Sequence, residues 1–368
     1  MTTRLLYLVS HPIQYQAPLL RLIARDPGIL LSVVFEQDFS SGRYRDAGFG
    51  VDVEWDVPLR DGYESKLASE IDLAKLLRES DAIWMHGWES RLMRDALGLA
   101  DQARRPVLMR GENWAGAMPD GGVPRRWLKR LYLRRIFGRC RAFLAVGSRN
   151  RAYYEDHGVA PDSIFDMPYA IDNDYFAQRA TPQAALAVKS RHGIAADRKI
   201  LLYAGKLTAR KHADHLLTAW RTAAWGDGER PILLIVGDGE LRPALERAAG
   251  PDVVFAGFRN QSEMPAYYAA ADLFALTAER EPWGLAVNEA MACGTGVIAS
   301  DQVGAAYDLV DSETGFRSVA GDIAGLARAL PELIGRSEEL GRAAHARVAR
   351  WDFRADIDGL KTALDAVL

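Results

Sequence analysis

The chain has 368 residues, 49% hydrophobic and 26% charged, which excludes a disordered or low-complexity chain and predicts about two domains. Forty-six basic residues stand against 49 acidic ones, and the net charge of −3 argues against a dedicated nucleic-acid binder. The two cysteines, Cys140 and Cys293, are far apart, so no disulfide framework is expected and a reducing, cytoplasmic setting fits.

The apolar run Leu5–Val9 is too short for a signal-peptide core and reads as a buried strand. No stretch approaches about 18 uncharged apolar residues, so no membrane span is predicted. The loop that follows is Ser10-His11-Pro12-Ile13-Gln14-Tyr15-Gln16. The spacing over Pro18–Arg25 predicts a helix, and Ile29–Phe35 the next strand. Ala82–Met85, Val107–Met109 and Phe143–Val146 are further apolar runs, each followed by a polar turn. Short apolar strands separated by helical patterns predict a parallel, doubly wound α/β sheet. His86 ends one of these strands, in WMHGWES. Arg110 and Glu112 stand at the end of the next, in VLMRGENW. The segment Pro124–Arg141, PRRWLKRLYLRRIFGRCR, holds eight Arg/Lys and no acidic residue. Such a helix either lies on an anionic membrane surface or turns its apolar face into the core.

A linker is read between about Ile171 and Lys199, where no strand pattern occurs; Asp172-Asn173-Asp174 there reads as a loop rather than a metal-nucleotide motif. Beyond it, Ile200–Ala204, Ile232–Val236, Val253–Phe255, Leu273–Leu276 and Val297–Ala299 predict the strands of a second Rossmann-like domain. Two such domains leave a cleft, and ligands of open α/β sheets bind beyond the carboxyl ends of the strands. Gly237-Asp238-Gly239 lacks the third glycine of a dinucleotide fingerprint, so it reads as a tight turn and gives little support to a nicotinamide enzyme.

The densest chemistry lies in 277–300, TAEREPWGLAVNEAMACGTGVIAS, where Glu281 and Glu289 are separated by seven residues. This reads as strand, loop, helix. Gly284 and Leu285, after Pro282-Trp283, place backbone N–H groups at a helix start, which favours an anion. Two carboxylates around that point suit a ligand with an anionic centre and hydroxyls at both ends, such as a nucleotide-diphosphate sugar. Gly205-Lys206-Leu207-Thr208-Ala209-Arg210-Lys211 puts cations on a strand-to-helix loop, where they could neutralise a diphosphate. Solvated charges are the plain alternative for each group taken alone. His212 and His215 could share a metal, but the sequence offers no evident third ligand.

Four features in order make the C-terminal half resemble the retaining GT-B glycosyltransferases of family 4. They are Gly205-Lys206-Leu207 with Lys211, IVGDGELRPAL, FAGFRNQSEMPAYYAAADLF, and EPWGLAVNE followed by AMACGTGVIAS. The resemblance implies two Rossmann-like domains facing each other across a cleft. It implies an acceptor-binding domain over 1–172, a linker and donor-binding domain over 173–350, and a last helix, 351–368, packing back toward the first domain. It assigns Lys206 and Lys211 to the donor diphosphate, Glu281 to the donor sugar and Glu289 to the ribose hydroxyls. Gly205, Pro282, Trp283, Gly284, Leu285 and, near the base, Arg259 complete the donor side. The N-terminal loop has no glycine, and Arg110 stands where many members carry a histidine. His86 is therefore taken as a catalytic candidate, and His11, Gln14, Arg110 and Glu112 as acceptor-side candidates. The implied reaction is glycosyl transfer with retention, with no cofactor and no metal beyond a nucleotide-sugar co-substrate, expected to be a UDP-sugar as the commonest case. The acceptor would be a saccharide, a glycolipid or a small molecule, with an anionic membrane surface as a further partner through 124–141. A sugar-nucleotide epimerase or hydrolase, and a non-catalytic binding protein, remain alternatives.

Overall fold

The computed structural model describes residues 2–118, 123–226 and 230–368. The chain divides into two compact units. The first comprises the chain up to Tyr44, Val57–Tyr169 and Phe353–Leu368; the second comprises Arg45–Asp56 and Ala170–Asp352.

The strands in chain order begin with β1 (Thr3–Val9) and β2 (Ile29–Phe35), followed by two short strands, β3 (Tyr44–Asp46) and β4 (Val51–Val53). Then come β5 (Glu64–Leu67), β6 (Ala82–His86), β7 (Val107–Gly111), β8 (Ala142–Ala145) and β9 (Ile164–Asp166). Seven of these form one parallel sheet in the order β5-β2-β1-β6-β7-β8-β9, while β3 pairs with β4. The later strands are β10 (Ile200–Ala204), β11 (Ile232–Val236), β12 (Val253–Gly257), β13 (Leu273–Leu276), β14 (Gly296–Ser300) and β15 (Gly315–Ser318). They form a second parallel sheet in the order β12-β11-β10-β13-β14-β15.

This is the doubly wound α/β class that the apolar runs predict. Central strands such as LLYLV and ILLIV are buried on both faces by flanking helices, which is why they carry no alternation. In the second unit the helix Ala213–Thr222 lays Leu216, Leu217 and Trp220 against Leu201, Tyr203, Leu233 and Ile235. Each sheet reverses its strand order once, between β1 and β6 and between β10 and β13. Connections leave in opposite directions there, so a crevice opens at the carboxyl ends of those strands. Strands β5, β9 and β15, at or near sheet edges, were not anticipated. ESKL, IFD and GFRS are partly solvated and show no apolar run. Asp172 caps the helix Asn173–Arg179 by accepting from the Tyr175 N–H at 2.9 Å, which accounts for the Asp-Asn-Asp sequence.

The helix Phe353–Val367 belongs to the first unit. Its Asp356 pairs with Arg110 at 3.2 Å, and both side chains are only 1% exposed. Arg110 also donates to the carbonyls of Met167 (3.3 Å) and Pro168 (3.4 Å), between the rings of Trp84 and Tyr169. The expectation that Arg110 meets an acceptor is corrected here: burial seals it inside the unit, where it ties β7 to the last helix. Replacing Asp356 by Ala strands the guanidinium without its partner, and we expect a loss of about 3–5 kcal/mol in urea unfolding. A loss under about 1 kcal/mol would show that the pair carries no weight.

Candidate functional site

In the second unit the reversal point brings two loops together. Gly205 follows β10, and its N–H donates to the Val236 carbonyl at 3.0 Å. The loop after β11 lies directly on it: a Cβ on Gly237, at φ +128°, would stand 1.9 Å from the Gly205 oxygen. The Gly237-Asp238-Gly239 turn is thus a close approach of two backbones that side chains would prevent. Lys211, at the end of this loop, forms an ion pair with Glu281 beyond β13, and both side chains are mostly buried. The Glu281 backbone is pinned in turn: its N–H donates to the Gln302 carbonyl at 2.9 Å and its carbonyl accepts from Gly304 at 3.1 Å.

Lys206 pairs with a residue that the sequence reading missed. Its Nζ lies 2.8 Å from Asp46 Oδ1 and 5.0 Å from the centre of the Phe49 ring. Burial opposes ionisation of Asp46, but hydrogen bonds from Lys206 and from the Phe49 and Gly48 N–H groups outweigh it. Its carboxyl is therefore held below the usual range. The same segment continues onto the loop after β12. Phe49 and Trp55 meet Phe258 edge-on at 5.0 and 6.2 Å, and Asn260 donates to the Glu54 carbonyl at 2.6 Å. Arg259 donates to the Ala256 carbonyl at 2.7 Å and lies over the Tyr267 ring at 5.7 Å.

Gly284, at φ +96°, turns the chain into the helix Leu285–Ala292. A Cβ there would meet Leu276, Val303 and Glu281 at 2.9–3.2 Å. Gly284, the N-cap, has no side chain with which to cap this helix start. Pro282 is half-buried, and Trp283 is buried; Trp283 stacks on Trp351 at 5.7 Å and donates to Asn288 at 2.9 Å, so it props the loop. Glu289 is 4% exposed and accepts from the Tyr268 hydroxyl at 2.7 Å. His212 and His215 stack at 3.9 Å with planes 7° apart, and Asp214 and Glu279 lie nearby. Ligand atoms of His212, Asp214 and His215 all lie within 4.8 Å of one another, so the fold brings in Asp214 as the third group that the sequence reading did not find.

In the first unit the reversal point gathers a different set. His86 ends β6, and its Nδ1 lies 3.2 Å from the Tyr7 hydroxyl and 3.1 Å from Gln16 Nε2. The Tyr7 hydroxyl donates to Gln16 Oε1 at 2.7 Å. Glu112 Oε1 is 3.7 Å from His86 Nε2. Burial works against the Glu112 charge, yet His86, a hydrogen bond from Tyr169 and the Arg110 charge hold its carboxyl below the usual range. Burial, then the charge of His86, pushes His11 down, so its ring is neutral at pH 7. His11 Nδ1 lies 2.9 Å from Ser10 Oγ, and Gln14 is half-buried in the same loop. Tyr7 and Gln16 were not singled out by the sequence reading; both are ordinary residues of a strand and a helix start until the fold joins them to His86.

Residues 187–346 match the family model described as Glycosyl transferases group 1. A GDP-mannose-dependent alpha-(1-6)-phosphatidylinositol monomannoside mannosyltransferase of Mycolicibacterium smegmatis is 28% identical over 241 residues, 61% of this chain and 62% of that protein. A D-inositol 3-phosphate glycosyltransferase of Mycobacterium tuberculosis is 25% identical over 291 residues, 74% of this chain and 58% of that protein. The match thus spans about three fifths of the length of these curated relatives. The solved structure of Anabaena HepE in complex with UDP and glucose has a TM-score of 0.73 at 19% identity, covering 99% of this chain and 100% of that one. WaaG, a glycosyltransferase involved in lipopolysaccharide biosynthesis, has a TM-score of 0.66 at 17% identity, covering 99% of each chain. The fold is that of GT-B glycosyltransferase structures, with two Rossmann-like sheets.

Because the folded-state carboxyls of Asp46 and Glu112 titrate below their usual range, the stability they contribute is complete above about pH 5 and is lost as pH falls further. We expect Asp46→Asn and Glu112→Gln each to lower the melting temperature at pH 7 and to flatten its fall between about pH 5 and pH 3. An acid limb parallel to that of the unaltered protein in thermal scans would contradict this.

Proposed function

We propose that the chain is a glycosyltransferase that moves a sugar from a nucleotide-diphosphate sugar, with retention of anomeric configuration, to a saccharide, glycolipid or small-molecule acceptor. The observation that carries the reading is the pairing of Lys211 with Glu281 at the reversal point of the second sheet, inside the region that matches the glycosyl transferase family. A relative described as using GDP-mannose and a structural neighbour bound to UDP and glucose support a nucleotide-sugar donor.

In this reading the second unit takes the donor. Lys206, Lys211 and the amides at Gly284 and Leu285 stabilise the departing diphosphate as its charge develops. Lys211 holds the Glu281 carboxylate in place to accept from hydroxyls of the donor sugar. Glu289, oriented by Tyr268, accepts from the ribose. A phosphate oxygen of the leaving group takes the acceptor proton, so the chain needs no carboxylate nucleophile of its own. The first unit takes the acceptor at the ends of β1 and β6, where His86 is oriented by Tyr7, Gln16 and Glu112. We place the reaction in the cytoplasm, consistent with two free cysteines.

Thermal shifts with UDP, GDP, ADP and TDP test the donor site. One diphosphate should stabilise the chain, by about 2.7 kcal/mol at a hundredfold excess over its dissociation constant. The Lys206→Ala/Lys211→Ala double variant should lose that shift. With the matching sugar nucleotide, Glu281→Ala should lower kcat/KM about ten- to hundredfold, the loss of a charged hydrogen bond worth about 1.5–3 kcal/mol. Unchanged turnover in Glu281→Ala would sink the assignment.

A further inference from the structure

We propose that the helix Val123–Phe137 docks the first unit onto an anionic lipid bilayer through Trp127, Leu128, Leu131 and Tyr132. The helix carries two apolar faces. Leu133, Ile136 and Phe137 are buried, and the Phe137 ring packs edge-on against Trp88, Phe143 and Tyr154. That face anchors the last turns to the core. The other face does not enter it: Trp127 is 61% exposed, Leu128 60%, Leu131 45% and Tyr132 44%. At about 100° per residue the exposed stripe lies on roughly the opposite side of the helix from the buried one. The alternative of a single apolar face turned into the core is therefore excluded for these four residues. Among the described residues, four of the ten large hydrophobics left exposed fall within these six consecutive positions, whereas the others are dispersed along the chain. A concentration of this kind marks an interaction surface.

Charge selects the occupant. Arg125, Arg126, Lys129, Arg130, Arg134 and Arg135 lie on the helix, and no carboxylate occurs over 124–141. A second copy docking through the same face would set these cations against their own kind. A phosphate-rich surface complements them. Tryptophan and tyrosine, with an apolar body and a polar edge, suit the headgroup boundary, and arginine stems cover apolar surface while the guanidinium stays among phosphates. Among the described residues no helix is long and apolar enough to cross a membrane, so the attachment is interfacial. The proposal is independent of the reaction, because it is read without donor or acceptor.

Flotation of the full chain tests it, using vesicles of phosphatidylcholine and phosphatidylglycerol in equal parts, with pure phosphatidylcholine vesicles alongside. The chain should float with the mixed vesicles at low salt and not with phosphatidylcholine alone. Trp127→Ser/Leu131→Ser should reduce partitioning at least about tenfold, with the melting temperature unchanged because both positions are exposed. Trp127→Ser alone, at the most exposed position, should shift partitioning the same way. Arg125→Gln/Arg126→Gln/Arg130→Gln should weaken flotation and its salt dependence together. The proposal is overturned if the chain does not float with mixed vesicles at low salt. Flotation indifferent to Trp127 and Leu131 would also overturn it, reducing the effect to charge adsorption. So would a dimer that the Trp127→Ser/Leu131→Ser variant dissociates, since a second copy would then be the occupant.

Discussion

The ion pair of Lys211 with Glu281 is the contact on which the candidate donor site depends. The two residues are 70 positions apart and meet because β10 and β13 are neighbours in one parallel sheet. Parallel strands end together, so the loops that follow them share a crevice and any charges on those loops interact at low effective dielectric. A lysine or a carboxylate left alone in such a place costs several kcal/mol. Here each is compensated by the other, and Lys206 is compensated by Asp46 in the same way. In the proposed function, a diphosphate would compete with Asp46 for Lys206, which makes the net gain smaller than a count of lysines implies and ties ligand binding to the position of the 45–56 segment.

The first unit handles its polar groups differently. Tyr7, Gln16 and His86 form a hydrogen-bonded set, and Glu112 lies beside it, 3.7 Å from His86 Nε2. Burial pushes the Tyr7 and Tyr169 hydroxyls up, so both remain donors across the physiological range. Neutral networks cost less to bury than charges and set direction more sharply than they attract.

Much of this was legible in the sequence, for a physical reason. Central strands of parallel sheets are buried on both faces, so Ile200–Ala204 and Ile232–Val236 announce themselves as apolar runs with the boundaries observed. Edge strands such as Glu64–Leu67 are half-solvated and leave no such mark. Lys206, Lys211, Glu281 and Glu289 stand out because short-range spacing brackets them around loops. Their partners do not, since Asp46 is 160 positions from Lys206 and nothing local ties Tyr268 to Glu289. Arg110 misled for a related reason. A polar residue at a strand end reads as facing a ligand, and only the packing of a helix more than two hundred residues later turns that position into an interior one.

That distant helix also sets the electrostatics of the first unit's polar cluster. Asp356 makes the burial of the Arg110 charge tolerable, and the Arg110 charge helps keep Glu112 ionised. Glu112, in turn, faces His86 Nε2 and favours a proton on that nitrogen, leaving Nδ1 to accept from Gln16 Nε2, since the Tyr7 hydroxyl proton goes to Gln16 Oε1. Direction is thus transmitted in three steps from the last helix to the imidazole, each step a contact between groups held by packing. The helix contributes no group to the cluster itself. It determines whether a buried cation can exist beside Glu112, and so which way the histidine at the end of β6 presents its proton.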